Sequence, residues 1–287
     1  MKKISFIEGE NEYTFGIEQC KFIISSNQIE LYNFKKIFLK LMRQSDDSEY
    51  YLEHNHNETR LLINDKKIIK KHILFTCIHS SLNLSDELKL SSKSLLLKYF
   101  ERKLSNADFN DTIQTLQILF DSLESEINDS SLYKIKFQKL TVKVLLKLSE
   151  SYIEKNGYIC NEYDLNYEDF ILYQLDLLME IEKDISLEHI FVLVDLPIIS
   201  NLIFIKFKEF KKCNFIILSK EYPNNISLAD FYLIGKIIVD CANEEQLYYE
   251  VSERSLHNYT LQEVQLMILK YIYHIEQCAD DIIQLFE

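Results

Sequence analysis

The chain has 287 residues, a mass of 34.2 kDa and a formal net charge of −13, which fits one large domain or two modest ones. Hydrophobic residues make up 47% and aromatic residues 13%, so a substantial core is expected and disorder is not. The chain has no run of about 18 apolar residues, and its N-terminus lacks the apolar segment of a secretory signal. A membrane span and secretion are therefore not expected, and the expected location is the cytoplasm.

The first part of the chain, 1–84, alternates strand and helix signals, which is typical of an α/β fold. A helix is predicted from Asn27 onward, because apolar residues recur there at helical spacing and Asn27 or Ser26 can cap it. Short apolar runs predict strands at residues 4–9, 20–26, 49–54, 59–65 and 71–78.

The second part, 85–185, has helical periodicity throughout, and four helices are predicted at residues 85–104, 108–127, 130–155 and 166–184. In the third helix, Tyr133, Phe137, Leu140, Val144 and Leu148 form one apolar stripe. Asn156-Gly157 is predicted to end that helix as a C-cap.

The third part, 186–244, returns to strand character. Strands are predicted at 190–195 and 214–219, with a helix over 200–212 between them and a further strand within 230–240. A strand–helix–strand unit with short connections implies parallel pairing. The two α/β parts should share one sheet because neither offers enough strands alone, and 245–287 is predicted to form an acidic extension of one or two helices.

The segment IFVLVD, residues 190–195, resembles the buried strand that ends in a Mg²⁺-binding aspartate in P-loop NTPases. A P-loop also needs the pattern G-x-x-x-x-G-K-[ST]. None of the four glycines, Gly9, Gly16, Gly157 and Gly235, precedes Lys-Ser or Lys-Thr at that spacing. Nucleotide hydrolysis is therefore not expected, and Asp195 is interpreted as a residue of a strand-end turn.

Histidine and cysteine offer little chemistry. His54 and His56 form an H-x-H pair without a third ligand in view, so a polar surface pair is preferred to a metal site. The six cysteines are scattered without a C-x-x-C pair, which predicts buried apolar thiols rather than disulfides or zinc ligands: Cys20, Cys77, Cys160, Cys213, Cys241 and Cys278.

The charge is unevenly distributed along the chain. Residues 150–188 carry a net charge of −9 and residues 240–287 a net charge of −8, which leaves +4 for the rest. A polyanion responds to the local field, so a basic surface is compatible with an acidic protein.

Lysine clusters are the main candidates for contact with a polyanion. Each cluster has an alternative interpretation as a solvated helix face. The clusters offer no arginine side chains for bidentate hydrogen bonds to base edges, so any contact with nucleic acid is predicted to be with phosphates and independent of sequence. The residues singled out are Lys35 and Lys36 on the first helix, Lys66, Lys67, Lys70 and Lys71 between two strands, and Lys136, Lys139, Lys143 and Lys147 along the third predicted helix.

An acidic block lies at a loop-to-helix junction and contains Glu162, Asp164, Glu168 and Asp169. Oxygen ligands at this density suit Ca²⁺, although the spacing is not that of an EF-hand. The alternative is helix capping by Asn166, with Glu168 and Asp169 favouring the helix N-terminus.

The order of these elements resembles the Csn-two family of type II-A CRISPR adaptation proteins. The resemblance covers most of residues 20–235 and is carried by KFIISSNQIELYNFKKIFLKL, LLINDKKIIKKHILFTCIHSSLNLSDELKL, NEYDLNYEDFILYQLDLL, HIFVLVDLPIIS and CNFIILSKEYPNNISLADFYLI. The resemblance rests on the order of these segments and on the kinds of residue they contain more than on invariant motifs. This chain is longer than the short members, and its acidic C-terminal helices have no counterpart in them.

The resemblance implies an α/β head like a P-loop NTPase core without its nucleotide site, with an inserted helical leg. It implies a ring-like homotetramer that binds Ca²⁺ and threads double-stranded DNA ends through a lysine-lined hole. The implied partners are the CRISPR integrase subunits and the effector nuclease, and no membrane. By position, the lysine-rich connection is Lys66, Lys67, Lys70 and Lys71, and the acidic segment is Glu162, Asp164, Glu168 and Asp169.

Three functions follow as hypotheses. The first is a non-enzymatic DNA-end-binding ring that acts in spacer acquisition, the adaptive-immunity step against phage and plasmids. The second is a protein-interaction scaffold in the adaptation complex with only incidental DNA contact. The third is a nucleotide-using enzyme, which is not expected.

Overall fold

The fold is that of a computed structural model, which describes residues 1–46, 59–67, 72–80, 88–90, 94–105, 107–129, 132–255, 257–274 and 280–286. The chain divides into two compact units. Unit 1 combines Met1–Ser80 with Ile185–Glu287, and unit 2 is Ser81–Asp184. The predicted strand at 49–54, His54, His56, Lys70, Lys71 and Cys278 lie outside the described residues.

Unit 1 is built on a parallel-rich sheet that both α/β segments supply. Among the described residues its strands run in the order β12-β11-β3-β10-β9-β6, with only the β11–β12 pair antiparallel. The strands are β3 (Cys20–Ser25), β6 (Ile73–His79), β9 (His189–Asp195), β10 (Cys213–Leu218), β11 (Phe231–Ile234) and β12 (Ile238–Asp240). The predictions of an α/β fold and of a shared sheet are therefore confirmed.

The helices of unit 1 begin where the sequence places caps. Helix α1 (Gln28–Asp46) follows Asn27, whose side chain accepts hydrogen bonds from the amides of Ile29 and Glu30. The crossover helix between β9 and β10 begins after Ser200, whose hydroxyl accepts from the Ile203 amide. Both caps satisfy amides that lack a partner within the helix, and the predicted strand–helix–strand unit with parallel pairing is confirmed.

A second, antiparallel sheet covers α1 and has the order β2-β1-β4-β5. Its strands are β1 (Lys2–Glu8), β2 (Asn11–Ile17), β4 (Arg60–Ile63) and β5 (Lys66–Lys67). Phe34 and Phe38 of α1 contact Phe6 of β1, and Phe38 also contacts Phe75 of β6. Helix α1 is thus packed in a core shared by the two sheets.

The C-terminal helices belong to unit 1 and cover one end of its parallel sheet. The last of them contributes carbonyl oxygens that accept hydrogen bonds from Ser26 and from the amides of Lys236 and Ile237. At Gly235 a Cβ would lie 2.5 Å from the Cα of Phe286, so only glycine permits this close approach.

The described part of unit 2 is mainly helical, with one small hairpin. Its elements are α2 (Leu95–Leu104), α3 (Ala107–Asn128), α4 (Val142–Lys147), β7 (Ile153–Lys155), β8 (Tyr158–Cys160) and α5 (Tyr167–Glu182). The remaining helices belong to unit 1 and are α6 (Asn201–Phe207), which is the crossover helix between β9 and β10, α7 (Glu244–Arg254), α8 (Leu261–Ile272) and α9 (Asp280–Phe286). Asn166 caps α5 by accepting a hydrogen bond from the Asp169 amide, as the capping alternative predicts.

The predicted long helix over 130–155 is wrong. Among the described residues of this range, 132–155, only Val142–Lys147 is α-helical, because Thr141 caps a new helix and the chain before it lies extended against α3. Gln117 and Glu124 of α3 accept hydrogen bonds from the backbone amides of Leu140 and Phe137. Asn156-Gly157 is also not a C-cap: it forms the β7–β8 turn, with φ of 55° and 80°.

The cysteines fit the prediction of buried thiols in part. Cys20, Cys213 and Cys241 are buried, while Cys77 and Cys160 are partly exposed. Burial raises the pKa of the Cys20 and Cys241 thiols to about 12, so both are protonated and poorly nucleophilic at neutral pH.

Candidate nucleic-acid interface

The lysine-rich strand connection begins with the tight turn Asn64-Asp65, whose φ angles of 51° and 62° are typical of a type I′ hairpin. The turn is fixed to β1, since Lys3 Nζ lies 2.9 Å from Asp65 Oδ1. Lys66 and Lys67 follow and are both exposed. Successive strand residues point to opposite faces, so one flat surface can meet only one of these two side chains.

The lysines of α1 face carboxylates. Lys35 Nζ lies 2.7 Å from Asp195 Oδ2, and Lys40 pairs with Glu8, which lies 4.0 Å from Lys36 Nζ. These ion pairs join residues far apart in the sequence, and they reduce the field that α1 offers to a phosphate. A nucleic acid that contacts Lys35 or Lys36 has to compete with Asp195 and Glu8.

The aspartate at the end of β9 lies at the carboxyl edge of the parallel sheet, beside His79 in register. In P-loop folds the phosphate loop joins a strand to the next helix. Here β3 ends at Ser25 and α1 begins at Gln28, so only Ser26 and Asn27 connect them, without glycine. The carboxylate of Asp195 forms an ion pair with Lys35, and the connection beside it is too short to be a phosphate loop.

The basic segment of unit 2 differs from the predicted helical row. Lys136 and Lys139 lie in the extended chain, and Lys143 and Lys147 lie on α4, so the prediction of one helix face carrying all four lysines is wrong. The apolar residues of the segment pack on α3 instead, with the rings of Phe137 and Phe120 5.3 Å apart.

The four lysines of this segment are nevertheless exposed to solvent. Lys143 lies 3.9 Å from Glu101, which is a weak contact for an exposed pair. Within the described part of the chain, Lys136, Lys139 and Lys147 form no ion pair. We name the four residues Lys136, Lys139, Lys143 and Lys147 the unit 2 lysine segment.

The acidic block is arranged for capping. Asp164 accepts a hydrogen bond from the Asn161 amide at 2.9 Å, closing a short 3₁₀ turn. Asp169 lies 2.6 Å from Lys155 Nζ, a partner that the sequence did not reveal. The described residues contain no group of three metal-ligating side chains. Asp164 and Asp169 therefore take part in capping and ion pairing.

Among the described residues no helix is both long and apolar enough to cross a membrane.

Comparison with known proteins shows a similarity of fold only. No family model matches the sequence, and no curated protein matches it. The fold is similar to the crystal structure of Stu0660 of Streptococcus thermophilus, with a TM-score of 0.62 and 12% sequence identity. The match covers 98% of this chain and 91% of that chain, so the two proteins share a fold over nearly their full lengths.

Proposed function

We propose that this protein is a non-enzymatic DNA-binding protein of the Csn-two type, which holds double-stranded DNA ends during CRISPR spacer acquisition. Two features support the proposal: the resemblance of the sequence to that family, and a cluster of exposed lysines of which three form no ion pair among the described residues. The head would then be a P-loop-like sheet without a nucleotide site, consistent with the two-residue connection after β3.

The observation that carries the proposal is the unit 2 lysine segment. Its four lysines are exposed, three of them form no ion pair in the described chain, and no acidic residue occurs between residues 130 and 149. Such side chains can approach phosphates and release condensed counterions, which supplies most of the affinity of sequence-independent binding. Lysine ammonium groups act there as point charges without base specificity.

The overall charge of −13 does not oppose this function. At physiological ionic strength, exposed charges are screened over about 8 Å. DNA at the lysine segment therefore responds mainly to the charges within about that distance of it, rather than to the net charge of the whole chain.

The proposed assembly is a ring-shaped homotetramer that works with the CRISPR integrase subunits and the effector nuclease. Closure of a ring around a duplex would turn weak phosphate contacts into topological retention, because several contacts must break together. Calcium binding by Glu162, Asp164, Glu168 and Asp169 stays a prediction of the resemblance, and the proposed DNA contact does not depend on it.

The DNA contact is tested by fluorescence anisotropy with two linear duplexes of equal length and unrelated sequence. We expect equal affinities and a steep loss with salt, with a slope of log Kobs against log salt of about −2.7 or steeper, because three phosphate contacts each contribute about −0.9. A marked sequence preference, or a slope near zero, would contradict the proposal.

A second candidate function is the protein-interaction scaffold, and one surface favours it. The β7–β8 hairpin and its flanks expose Tyr152, Tyr158, Ile159 and Tyr163, which are 61%, 77%, 72% and 82% accessible. Aromatic side chains with this exposure are enriched at protein interfaces. The scaffold hypothesis gains if DNA binding survives removal of the lysines described above.

A further inference from the structure

The β7–β8 hairpin of unit 2 exposes large side chains that its own fold does not explain. Tyr158 and Ile159 of β8 are 77% and 72% exposed, and Tyr152, directly before β7, is 61% exposed. Both strands have three residues, and among the described residues they pair only with each other. Side chains this exposed add little to a core, and a patch of large exposed apolar side chains marks an interaction site.

The strand register decides which side chains share a face of the hairpin. Lys155 is paired with Tyr158 and Glu154 with Ile159, and directly paired residues lie on the same face while successive residues alternate. Lys155 Nζ lies 2.6 Å from Asp169 Oδ2, so the face with Tyr158 is tied to the start of α5. The opposite face combines an exposed carboxylate with an exposed aliphatic side chain.

The charge around the hairpin restricts what can cover it. Residues 150–164 contain four acidic residues and one basic residue, a net charge of −3. The basic residue, Lys155, is already paired with Asp169. Glu150 and Glu154 are exposed and form no ion pair among the described residues. Such a field repels phosphates and attracts a basic segment of a protein.

The combination of tyrosine with carboxylate suits arginine better than lysine. The Cα atoms of Tyr152 and Glu154 are at most about 7 Å apart along the chain, so one guanidinium group can reach both side chains. A guanidinium group stacks on an aromatic ring at up to about 6 Å and forms paired hydrogen bonds with a carboxylate. A lysine ammonium group is a hydrated point charge without this plane.

We propose that the hairpin is the docking site for an arginine-rich segment of a partner protein. The docking residues, which we name the hairpin surface, are Tyr152, Glu154, Tyr158 and Ile159. The tyrosine rings stack on guanidinium groups, Glu154 supplies the ion pair, and Ile159 packs against the methylene stem of an arginine. The proposal rests on the scaffold function, to which it adds the chemistry of the partner, and is independent of the DNA contact.

The test is fluorescence anisotropy of a labelled peptide with the full chain, without DNA, at about 0.1 M salt. The peptide has about 12 residues, with arginine at every third position and glycine and serine elsewhere, so it is flexible. A second peptide carries lysine in place of arginine and has the same length and charge. We expect the arginine peptide to bind at least about fivefold more tightly, because only arginine stacks and forms paired hydrogen bonds.

The variant that removes the aromatic surface is Tyr152→Ser with Tyr158→Ser. It should weaken binding of the arginine peptide about fivefold or more and leave the lysine peptide nearly unchanged. The matched control is Tyr32→Ser with Tyr249→Ser in unit 1, since these tyrosines are 66% and 60% exposed and Tyr249 also lies beside a carboxylate, that of Glu253. All three proteins have the same net charge, so a general attraction to an acidic protein is constant.

The control should bind the arginine peptide as the wild type does, and circular dichroism should show equal secondary structure in all three proteins. A wild type that binds neither peptide, equal affinities for the two peptides, or an equal loss in the control would overturn the proposal. Duplex DNA binding is measured on the same three proteins and should be equal, so loss of peptide docking is distinguished from failure of the DNA-binding function.

Discussion

Replacing Lys21 with methionine should lower the free energy of unfolding by about 3–5 kcal/mol, the usual cost of leaving one member of a buried ion pair alone. Lys21 lies on the central strand β3 and is fully buried. Its ammonium group donates to the carboxylate of Asp240 and to the carbonyl of Ala229. Asp240 also accepts from the amide of Gly16, so the pair links β2, β3 and β12.

Urea denaturation of two comparison variants isolates this effect. Lys3→Met removes an ion pair of the same chemistry with Asp65, but both side chains are exposed, so a change of about 1 kcal/mol or less is expected. Lys21→Met with Asp240→Asn removes the unpaired charge while keeping an acceptor for Gly16, and it should be more stable than Lys21→Met alone. Equal losses for Lys21→Met and Lys3→Met would contradict the buried-pair account.

Substituting glutamine for Lys136, Lys139 and Lys147 together should lower the affinity for linear duplex DNA at least tenfold at about 0.1 M salt, and should make the salt slope less steep by about 2–3. These three lysines are exposed and without ion pairs in the described chain, so their loss should leave the fold intact. Affinity is measured by anisotropy across a salt series, and the melting temperature confirms folding.

The matched control is the pair of substitutions Lys155→Gln and Lys183→Gln. These lysines are in the same unit but already face Asp169 and Glu180, so the salt slope should change by less than about one. An unchanged affinity in the triple variant would move DNA contact away from the unit 2 lysine segment and would favour the scaffold hypothesis.

Local sequence signals predicted the parallel pairing of two strands and the cap of the first helix. The runs IFVLVD and NFIILS are short, apolar and separated by one helix, and both became neighbouring parallel strands. Asn27, Asn166 and Ser200 each cap the helix that follows. In these cases the deciding interactions lie within a few residues of each other, so a single sequence contains them.

The segment before α4 shows what a sequence alone does not contain. Its apolar spacing fits a helix, but its backbone amides at Phe137 and Leu140 donate to Glu124 and Gln117, which lie 13 and 23 residues earlier. Residues 11–17 likewise form β2, although no strand was predicted there, because β1 supplies the pairing partner. Tertiary hydrogen bonds override the local pattern in both cases.

The sequence predicted which charged residues could form the candidate site, but not which of them already form ion pairs within the folded chain. The sequence shows which residues are lysines, yet Lys35 pairs with Asp195, which is 160 residues away. The acidic block is similar, since Lys155 reaches Asp169 only after the β7–β8 hairpin folds back. Which charges remain free to meet a ligand is a property of the folded chain.

The central proposal is that a ring of this protein encircles duplex DNA after a free DNA end has passed through it. The most direct measurement compares binding to the same DNA in a closed and in a linear form. A plasmid is offered either as a covalently closed relaxed circle or after a single cut that leaves its sequence and length unchanged, in a gel-shift titration with the full chain. We expect tight binding of the linear form, little binding of the circle, and full binding of the circle once it is cut. Equal affinity for both forms would contradict threading and leave only lateral contact with the DNA backbone.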